Sequence, residues 1–267
     1  MSVRILALLL ALVGCAEERE RPANVGNCPP EQPNCATIPP KHGGGGAAGT
    51  GGGGGSGAAT NAELSGTVLG VVADDFVSSV AFIGTATVEA YGPASATLTT
   101  AYDGQVYAFP SIPKAPEVWL RVAPDAPGVF VSTLQPVNTE TTAQANLLVV
   151  SGSVLDETYA LATLPEVREL GRAQLVLRFV DGDTNQPLAG VSVAHQGEVV
   201  LYDVAGTWSD LQGVTGDGGY AVVVNAAAQS FVAKQKVTFQ LGSSLLGSVE
   251  VAVRADTVTL ADVVLEL

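Results

Sequence analysis

Short runs of alternating apolar and polar residues recur through most of this 267-residue chain and restrict the folds open to it. The clearest run is VEVAVRA, residues 249–255, where valine occupies every second position. Because successive side chains of a strand point to opposite faces, this run predicts a half-buried β-strand. Similar runs, with more apolar residues on both faces, are QLVLRFV, YAVVVN, VWLRVA and TVTLADVVLEL. Gly, Pro, Asp and Asn separate them, so the pattern after Asn61 predicts an all-β fold.

One stretch, TLPEVRELG at residues 163–171, departs from this pattern and predicts a short helix. Its first and fourth residues have the spacing of a capping box, its proline suits a first turn, and its glycine can end a helix. The stretch divides the β-rich region into residues 61–150 and 173–267, each about the size of a small β-sandwich. We therefore predict two tandem Ig-like β-sandwiches with a connector at residues 151–172.

Two blocks in the second β-rich segment, FVDGDTNQPLAGVSVAHQ and GVTGDGGYAVVVN, resemble the carboxypeptidase regulatory-like family, a prealbumin-type seven-stranded β-sandwich. The matching residues are Pro187, Leu188, Gly190, Val191, Val193, Thr215, Asp217, Gly219 and Tyr220. With this pattern, Val191, Val193 and Tyr220 are expected to point inward, and the resemblance implies a non-catalytic module. The first segment resembles the family through GTVLGVV, ATVEAYG and LTTAYDGQVYAFPSIP, but ADDFVSSVAFIG replaces its Pro-Leu-x-Gly block.

The amino terminus predicts export. Its apolar run, Ile5 to Gly14, is about half the roughly 20 residues that a spanning helix needs. With Arg4 before it and polar residues after it, the run predicts a signal peptide at residues 1–14. The ending LVGC resembles the lipobox of bacterial lipoproteins, which implies a diacylated Cys15 and, because Ala16 is not aspartate, the outer membrane if the source is Gram-negative. An ordinary secretory signal with a chance cysteine is the alternative.

The composition of residues 15–60 predicts a tether between the lipidated cysteine and the β-rich region. With the first cysteine lipidated, Cys28 and Cys35 remain as an even pair in an oxidising compartment, and we predict a disulfide between them. A zinc site is the alternative, but it needs four ligands and only His42 lies near. The tract Gly43–Gly57 lacks the strand, helix and Lys-Ser/Thr pair of a phosphate-binding loop. Its composition predicts a disordered, flexible stalk.

The charge balance excludes nucleic acid as a partner. The formal net charge is -14; residues 61–150 hold two basic and eight acidic side chains, and residues 173–267 hold four and ten. Binding to a phosphate backbone requires clustered Lys and Arg, which neither segment has. The expected partners are the membrane, reached through acyl chains on Cys15, and an envelope protein or a glycan.

Three features suggest chemistry, and each has a plainer interpretation. DGDTN, residues 181–185, starts like a calcium-binding EF-hand loop, but its sixth and twelfth positions are Gln and Ser instead of Gly and Glu. His195 lies on a predicted strand, and the chain has no Gly-x-Ser-x-Gly nucleophile motif. Asp74 and Asp75 are adjacent, which favours a solvated turn over a pair of catalytic carboxylates. We therefore predict no catalytic residue, no metal and no cofactor.

Exposed aromatic side chains would allow carbohydrate binding. The candidates are Trp119, Trp208, Tyr202, Tyr102 and Tyr107. Aromatic residues make up only 6% of the chain, which favours packing roles for these five. The preferred interpretation is a lipid-anchored protein of the cell envelope that acts as a non-catalytic structural or interaction module. A surface lipoprotein that binds carbohydrate is the alternative.

Overall fold

The computed structural model describes residues 35–37, 61–92, 97–126, 128–162, 167–196, 198–243 and 245–266. These residues form an all-β fold with one short helix, which confirms the predicted fold class. The first strands are β1 (Cys35–Thr37), β2 (Asn61–Gly66), β3 (Val68–Val71), β4 (Ser79–Ala81), β5 (Ala86–Tyr91), β6 (Leu98–Tyr102), β7 (Tyr107–Pro113), β8 (Val118–Pro124), β9 (Phe130–Val137) and β10 (Leu147–Ser151). After helix α1 (Gly152–Tyr159) come β11 (Ala173–Asp181), β12 (Val191–Ala194), β13 (Val200–Val204), β14 (Thr207–Ser209), β15 (Tyr220–Ala226), β16 (Ala233–Leu241), β17 (Leu245–Val253) and β18 (Thr257–Leu265).

The first half is a sandwich of two groups of strands. One group pairs in the order β6, β5, β8 and β9. The other contains the pair β2 with β7 and the strands β4, β3 and β10, and a short pairing of β10 with β9 connects the two groups. Side chains from both groups, such as Val88, Tyr107, Leu120 and Leu147, are fully buried in one apolar cluster. Burial of this cluster supplies the main driving force for folding of the first half.

The second half is also a sandwich. Its larger sheet has the strand order β14, β13, β15, β11 and β18, and its smaller sheet has the order β12, β16 and β17. On β17, Val249, Val251 and Val253 are buried and Glu250 is exposed, as the alternation predicts, but Ala252 on the opposite face is also buried, so the strand is more buried than expected. The valines join a core that includes Phe179 from the larger sheet.

A strand pair joins the two halves into one continuous sheet. Strand β9 of the first half runs parallel to β18 of the second half, with Ser132 opposite Thr257 and Leu134 opposite Thr259. The result is a sheet of 13 strands that contains strands from both halves. The halves are therefore not separate sandwiches linked only by a connector. The residue bounds 61–150 and 173–267 for the two domains remain a prediction.

The halves also share an apolar core. This shared core contains Val71, Phe76, Val150, Leu155, Tyr159, Val176, Leu201, Trp208, Val222 and Leu260, among others. Because it covers the outer face of the larger second sheet, β11 is buried on both faces. Its Leu175 and Leu177 face the second sandwich core, and Val176 faces the shared core. Burial on both faces explains why the sequence of β11 is a nearly continuous run of apolar residues.

The helix lies earlier in the connector than predicted. The first four residues of the expected helix at 163–171 are outside the described residues, and the other five are not helical. Val167 and Leu170 there are 74% and 96% exposed. In contrast, α1 buries Val154, Leu155 and Tyr159. Capping contributes about 1 kcal/mol, whereas each buried apolar side chain contributes about 1.5–3 kcal/mol, so burial selects the helical segment.

Strand β1 comes from the part of the chain that was expected to form the tether. Its backbone lies parallel to β18, with Cys35 opposite Asp262 and Thr37 opposite Val264. The predicted signal peptide at residues 1–14 and the remainder of the tether lie outside the described residues. Within the part of the chain that the structure describes, no helix has the length and apolar character to span a bilayer.

Candidate binding cleft

A cleft with a volume of about 380 Å³ opens where the two halves meet. It lies at the start of the shared β9–β18 pair, because Ser132 and Thr257, which are opposite each other in that pair, both line it. The connector contributes Arg168 and Arg172, and β8 contributes Arg121. A concave site of this size is at the lower end of the range for small-molecule pockets. We call this feature the junction cleft.

One arginine of the junction cleft belongs to an ion network that crosses between the halves. Glu89 on β5 accepts hydrogen bonds through Oε2 from Arg121 Nη1 at 3.0 Å and from Arg254 Nη1 at 3.2 Å. The Tyr91 hydroxyl donates to the same oxygen, and Arg254 Nη1 also donates to the Tyr91 oxygen at 2.8 Å. Arg254 follows β17, so one carboxylate of the first half holds a guanidinium from each half.

The network perturbs the acidity of two of its members. Burial raises the pKa of Glu89, but the hydrogen bonds from Tyr91 and Arg121 and the charges of Arg121 and Arg254 outweigh it and lower the pKa. Burial, followed by the hydrogen bond and the charge of Glu89, raises the pKa of Tyr91 to about 12. At neutral pH the carboxylate is therefore charged and the phenol is a hydrogen-bond donor.

The other two arginines of the junction cleft have looser partners. Arg168 donates from Nε to Asp156 Oδ1 at 2.8 Å and from Nη2 to Asp156 Oδ2 at 3.3 Å, which holds the later part of the connector against α1. Arg172 Nε lies 3.4 Å from Glu169 Oε2, and both of these side chains are about half exposed. An exposed ion pair of this length stabilises a protein by less than about 1 kcal/mol, so the Arg172 guanidinium is free to engage another anion.

A second hollow, of about 260 Å³, lies beside Trp119 and Lys234. Its main polar donors already share one acceptor. Lys234 Nζ donates to Glu117 Oε1 at 2.6 Å, and Trp119 Nε1 donates to the same oxygen at 2.8 Å. With these donors satisfied inside the protein, the second hollow is a weaker candidate for a binding site than the junction cleft.

The two sequence blocks that resemble the carboxypeptidase regulatory-like family, at Pro187–Val193 and Thr215–Tyr220, meet at one turn. Thr215 of the second block is buried, and its hydroxyl donates to Leu188 O at 2.7 Å and accepts from Val191 N at 3.0 Å. Gly219 has φ of +73°, and a Cβ there would lie 2.6 Å from Phe179 O. Only glycine fits this close approach in the left-handed region. The spacing of the two blocks therefore reflects the geometry of a turn.

Of the three residues expected to point inward, Val191 and Val193 are buried in the second core. Tyr220 is partly buried and packs on the opposite face of its sheet, against the shared core. Its ring lies 6.3 Å from that of Phe76. Tyr220 therefore contributes to the contact between the halves.

The sequence did not reveal the importance of Asp203. Its carboxylate accepts backbone N–H groups from Gly216 at 3.1 Å, Gly218 at 2.7 Å and Tyr220 at 2.8 Å. Burial raises the pKa of this carboxyl group, and the three N–H groups oppose the rise. The only available sequence signal was an aspartate one strand before a glycine-rich turn, which is too common to single out. Asp203 holds the second block in place.

The polar residues considered for catalysis or metal binding interact with nearby groups of the protein itself. His195 is buried, and its Nδ1 lies 3.0 Å from Glu198 Oε2. Asp75 Oδ1 accepts the N–H groups of Val77 and Ser78 in a turn. Asp181 Oδ1 in DGDTN accepts the N–H groups of Asp183 and Thr184 in the same way. Within the described ranges no group of three or more His, Cys, Asp or Glu is placed to hold a metal ion.

The aromatic residues considered for sugar stacking are all buried. They are Trp119, Trp208, Tyr202, Tyr102 and Tyr107, with exposures of 5% or less. Trp208 also donates from Nε1 to Asp74 O at 3.0 Å and contacts Phe76 edge to face, with ring centroids 5.6 Å apart. The packing interpretation is confirmed for these five residues. None of them is available to stack on a sugar.

The predicted cysteine chemistry stays untested. Cys15 and Cys28 lie outside the described residues, and Cys35 is described only as part of the β1 backbone. Lipidation of Cys15 and the disulfide between Cys28 and Cys35 are therefore still predictions.

No protein-family model matches this chain, and no curated protein is significantly similar to it. Among solved structures, a similar chain is a point mutant of the shaft pilin SpaA from Lactobacillus rhamnosus GG. The identity is 10%, the match covers 76% of this chain and 98% of the pilin chain, and the TM-score is 0.21. So low a score carries no argument, and the resemblance to carboxypeptidase regulatory-like domains remains a prediction.

Proposed function

We propose that this protein is a lipid-anchored component of the bacterial cell envelope that acts as a non-catalytic interaction module. The anchor is a pair of acyl chains on the Cys15 thiol, with a third on its amino group if the source is Gram-negative and the protein reaches the outer membrane. One long chain holds a protein only marginally, whereas two or more anchor it stably. The β-rich body carries the binding surface.

The observation that supports an interaction role is the junction cleft. Both halves contribute to its walls, and the β9–β18 pair and the shared core hold those halves together. Its arginines are oriented by carboxylates on neighbouring elements, as Arg121 is by Glu89 and Arg168 is by Asp156. A preformed concave surface with oriented polar groups binds a partner at a lower entropic cost than a flexible one.

The carbohydrate-binding alternative has no comparable support. It depended on exposed aromatic side chains, and the five that the sequence offered are buried.

The anchoring part of the proposal is tested by mass spectrometry of the amino-terminal peptide from detergent-extracted envelopes. We expect the wild-type peptide to begin at an acylated Cys15, and we expect Cys15→Ser to abolish acylation and processing. The matched control is the double variant Cys28→Ser with Cys35→Ser, which should remain acylated. A wild-type chain with a free, unmodified amino terminus, or with Cys15 in a disulfide, would show that the leader is an ordinary secretory signal.

The interaction part is tested by site-specific crosslinking in intact cells. A photoreactive residue replaces Leu170, which lines the junction cleft and is 96% exposed. The control position is Leu246 on β17, which is 73% exposed and does not line the cleft. We expect a discrete adduct from position 170 and none of the same mass from position 246. Identical adducts from both positions, or none from either, would contradict an interaction role for the cleft.

A further inference from the structure

We propose that the junction cleft binds a small organic anion that carries one carboxylate and an apolar group. The carboxylate is held by the guanidinium groups of Arg168 and Arg172, and the apolar group packs against Phe130 and Leu170. This inference rests on the proposed interaction role and names the chemistry of the ligand.

The first support is the placement of the arginines. The chain has a formal net charge of -14, yet three of the five arginines that the structure describes line this one cleft. They come from strand β8 and from the connector, so their proximity is a product of the fold. Guanidinium groups brought together in this way attract carboxylates, which they can bind through paired N–H donors.

The second support is that some N–H donors of these arginines are not used by partners within the protein. A guanidinium has five N–H groups. Arg168 uses two of its nitrogen atoms on Asp156, and Arg172 makes one contact, to Glu169 at 3.4 Å. The side chains of Arg168 and Arg172 are 31% and 43% exposed, so their unused N–H groups can reach a ligand in the junction cleft.

The charge of the lining sets the charge of the ligand. Three arginines line the cleft with Glu169 and Asp256, and Arg121 and Arg168 also pair with Glu89 and Asp156, so nearby carboxylates largely balance the guanidinium charge. Asp256 Oδ1 accepts the Gly171 N–H at 2.8 Å, which holds that carboxylate in the connector. These carboxylates repel a multiply charged anion such as phosphate more strongly than they repel a single carboxylate, which favours the singly charged ligand.

The remaining wall sets the shape of the ligand. Phe130, Val131, Pro124 and Leu170 line the junction cleft beside the arginines. Leu170 is almost fully exposed, at 96%, so covering it with an apolar group removes its side chain from water. Because burial of apolar area is favourable, that contact adds affinity that a bare carboxylate lacks. The cleft volume of about 380 Å³ limits the ligand to a few tens of atoms at most.

The test uses the full mature chain, purified in detergent and labelled with ¹⁵N-arginine. Its arginine side-chain signals are followed by NMR during titration with phenylacetate, phenylacetamide, acetate and inorganic phosphate. We expect a saturable shift with phenylacetate, a weaker one with acetate, and none with the neutral amide. Equal binding of the amide would indicate only an apolar hollow, and tighter binding of phosphate would indicate a site for multiply charged anions. Either result, or no saturable shift with any probe, overturns the proposal.

Variants locate the site. Arg172→Gln should raise the phenylacetate dissociation constant by about tenfold, because a charged hydrogen-bond donor is lost. The control Lys236→Gln removes an equally positive but exposed charge on β16, outside the cleft, and should leave the constant unchanged. If Arg172→Gln does not fold, Leu170→Glu gives an independent test, because it adds a negative charge at an exposed position and should weaken binding. An unchanged constant in the folded variants places the anion elsewhere and refutes the assignment.

The test of the carboxylate ligand can fail independently of the tests of the proposed function. Acylation and crosslinking are measured in cells, whereas the titration uses the purified chain. A negative titration with positive crosslinks would retain the interaction role and reject the carboxylate ligand.

Discussion

Glu89→Gln tests whether a single carboxylate couples the two halves. In the wild type its Oε2 accepts from Arg121 at 3.0 Å, from Arg254 at 3.2 Å and from the Tyr91 hydroxyl. The substitution keeps the shape of the side chain but removes its charge. Both guanidinium groups then lose their counter-charge in a region where their side chains are only 17% and 26% exposed.

The loss of stability expected from Glu89→Gln lies between two limits. Breaking a fully buried ion pair costs about 3–5 kcal/mol, and breaking an exposed one costs less than about 1 kcal/mol. Glu89 retains 21% exposure, so water partly screens the arginines after the substitution. We expect a loss of about 2 kcal/mol, which moves the urea midpoint by about 1 M when the m-value is about 2 kcal/mol/M. Glu63→Gln, at an exposed position on β2, is the control and should change the free energy of unfolding by less than about 0.5 kcal/mol.

The effect should depend on pH in a defined direction. The pKa of Glu89 is lowered in the folded protein, so its charge stabilises the fold above the pKa of the unfolded carboxyl group, about 4.3. This stabilisation disappears as the pH falls through the lowered, folded-state pKa. Urea unfolding at pH 7, 5 and below 4 should show a constant difference between wild type and Glu89→Gln, followed by convergence.

A double-mutant cycle with Arg254→Gln measures the coupling between the halves directly. We expect the two substitutions together to cost at least 0.5 kcal/mol less than the sum of the single effects, because both remove the same interaction. Additive effects, or a Glu89→Gln effect that does not vary with pH, would refute the assignment of the network as a link between the halves.

Three further substitutions test the packing. Gly219→Ala should lower the free energy of unfolding by at least about 3 kcal/mol, measured by heat or urea, because its Cβ would clash with the backbone at positive φ. The control Gly206→Ala is also at positive φ but has open space around its Cβ, and it should cost about 1 kcal/mol. Equal effects of the two substitutions would exclude the clash. Asp203→Ala leaves three backbone N–H groups without their acceptor and should cost about 2–3 kcal/mol by the same measurement. Trp208→Ala should cost about 3–5 kcal/mol and increase amide hydrogen exchange around Phe76 in the other half; unchanged exchange there would contradict the shared core.

The strands could be predicted because their signal is local. QLVLRFV, YAVVVN and VWLRVA lie in strands, as do the first five residues of VEVAVRA, since alternation or a short apolar run is visible within seven residues. The pairing of β9 with β18 could not be predicted from such patterns, because it depends on two segments that are distant in the chain. A clue was present in the apolar residues on both faces of β11, which indicated a second covering layer.

The junction cleft was hidden for a related reason. Arg168 and Arg172 are close in the sequence, but Arg121 joins them only through the fold. In the sequence, the local charge count argued against any basic site. The helix was misplaced because capping residues are easy to recognise, whereas the buried face of α1 is defined by the sheets against which it packs.

The position of β18 constrains the order in which this protein can fold. Residue Thr257 pairs with Ser132, about 125 residues earlier, and β18 also pairs along its length with β11. Closing so long a loop is entropically costly, and the cost is recovered only when β18 is in place. While the chain is being made, β9 can pair with β8 and β10, but Ser132 to Leu134 lack their other partner until β18 is complete. We therefore expect slow folding with a late, concerted step, and a period in which the part of β9 that pairs with β18 is exposed to aggregation.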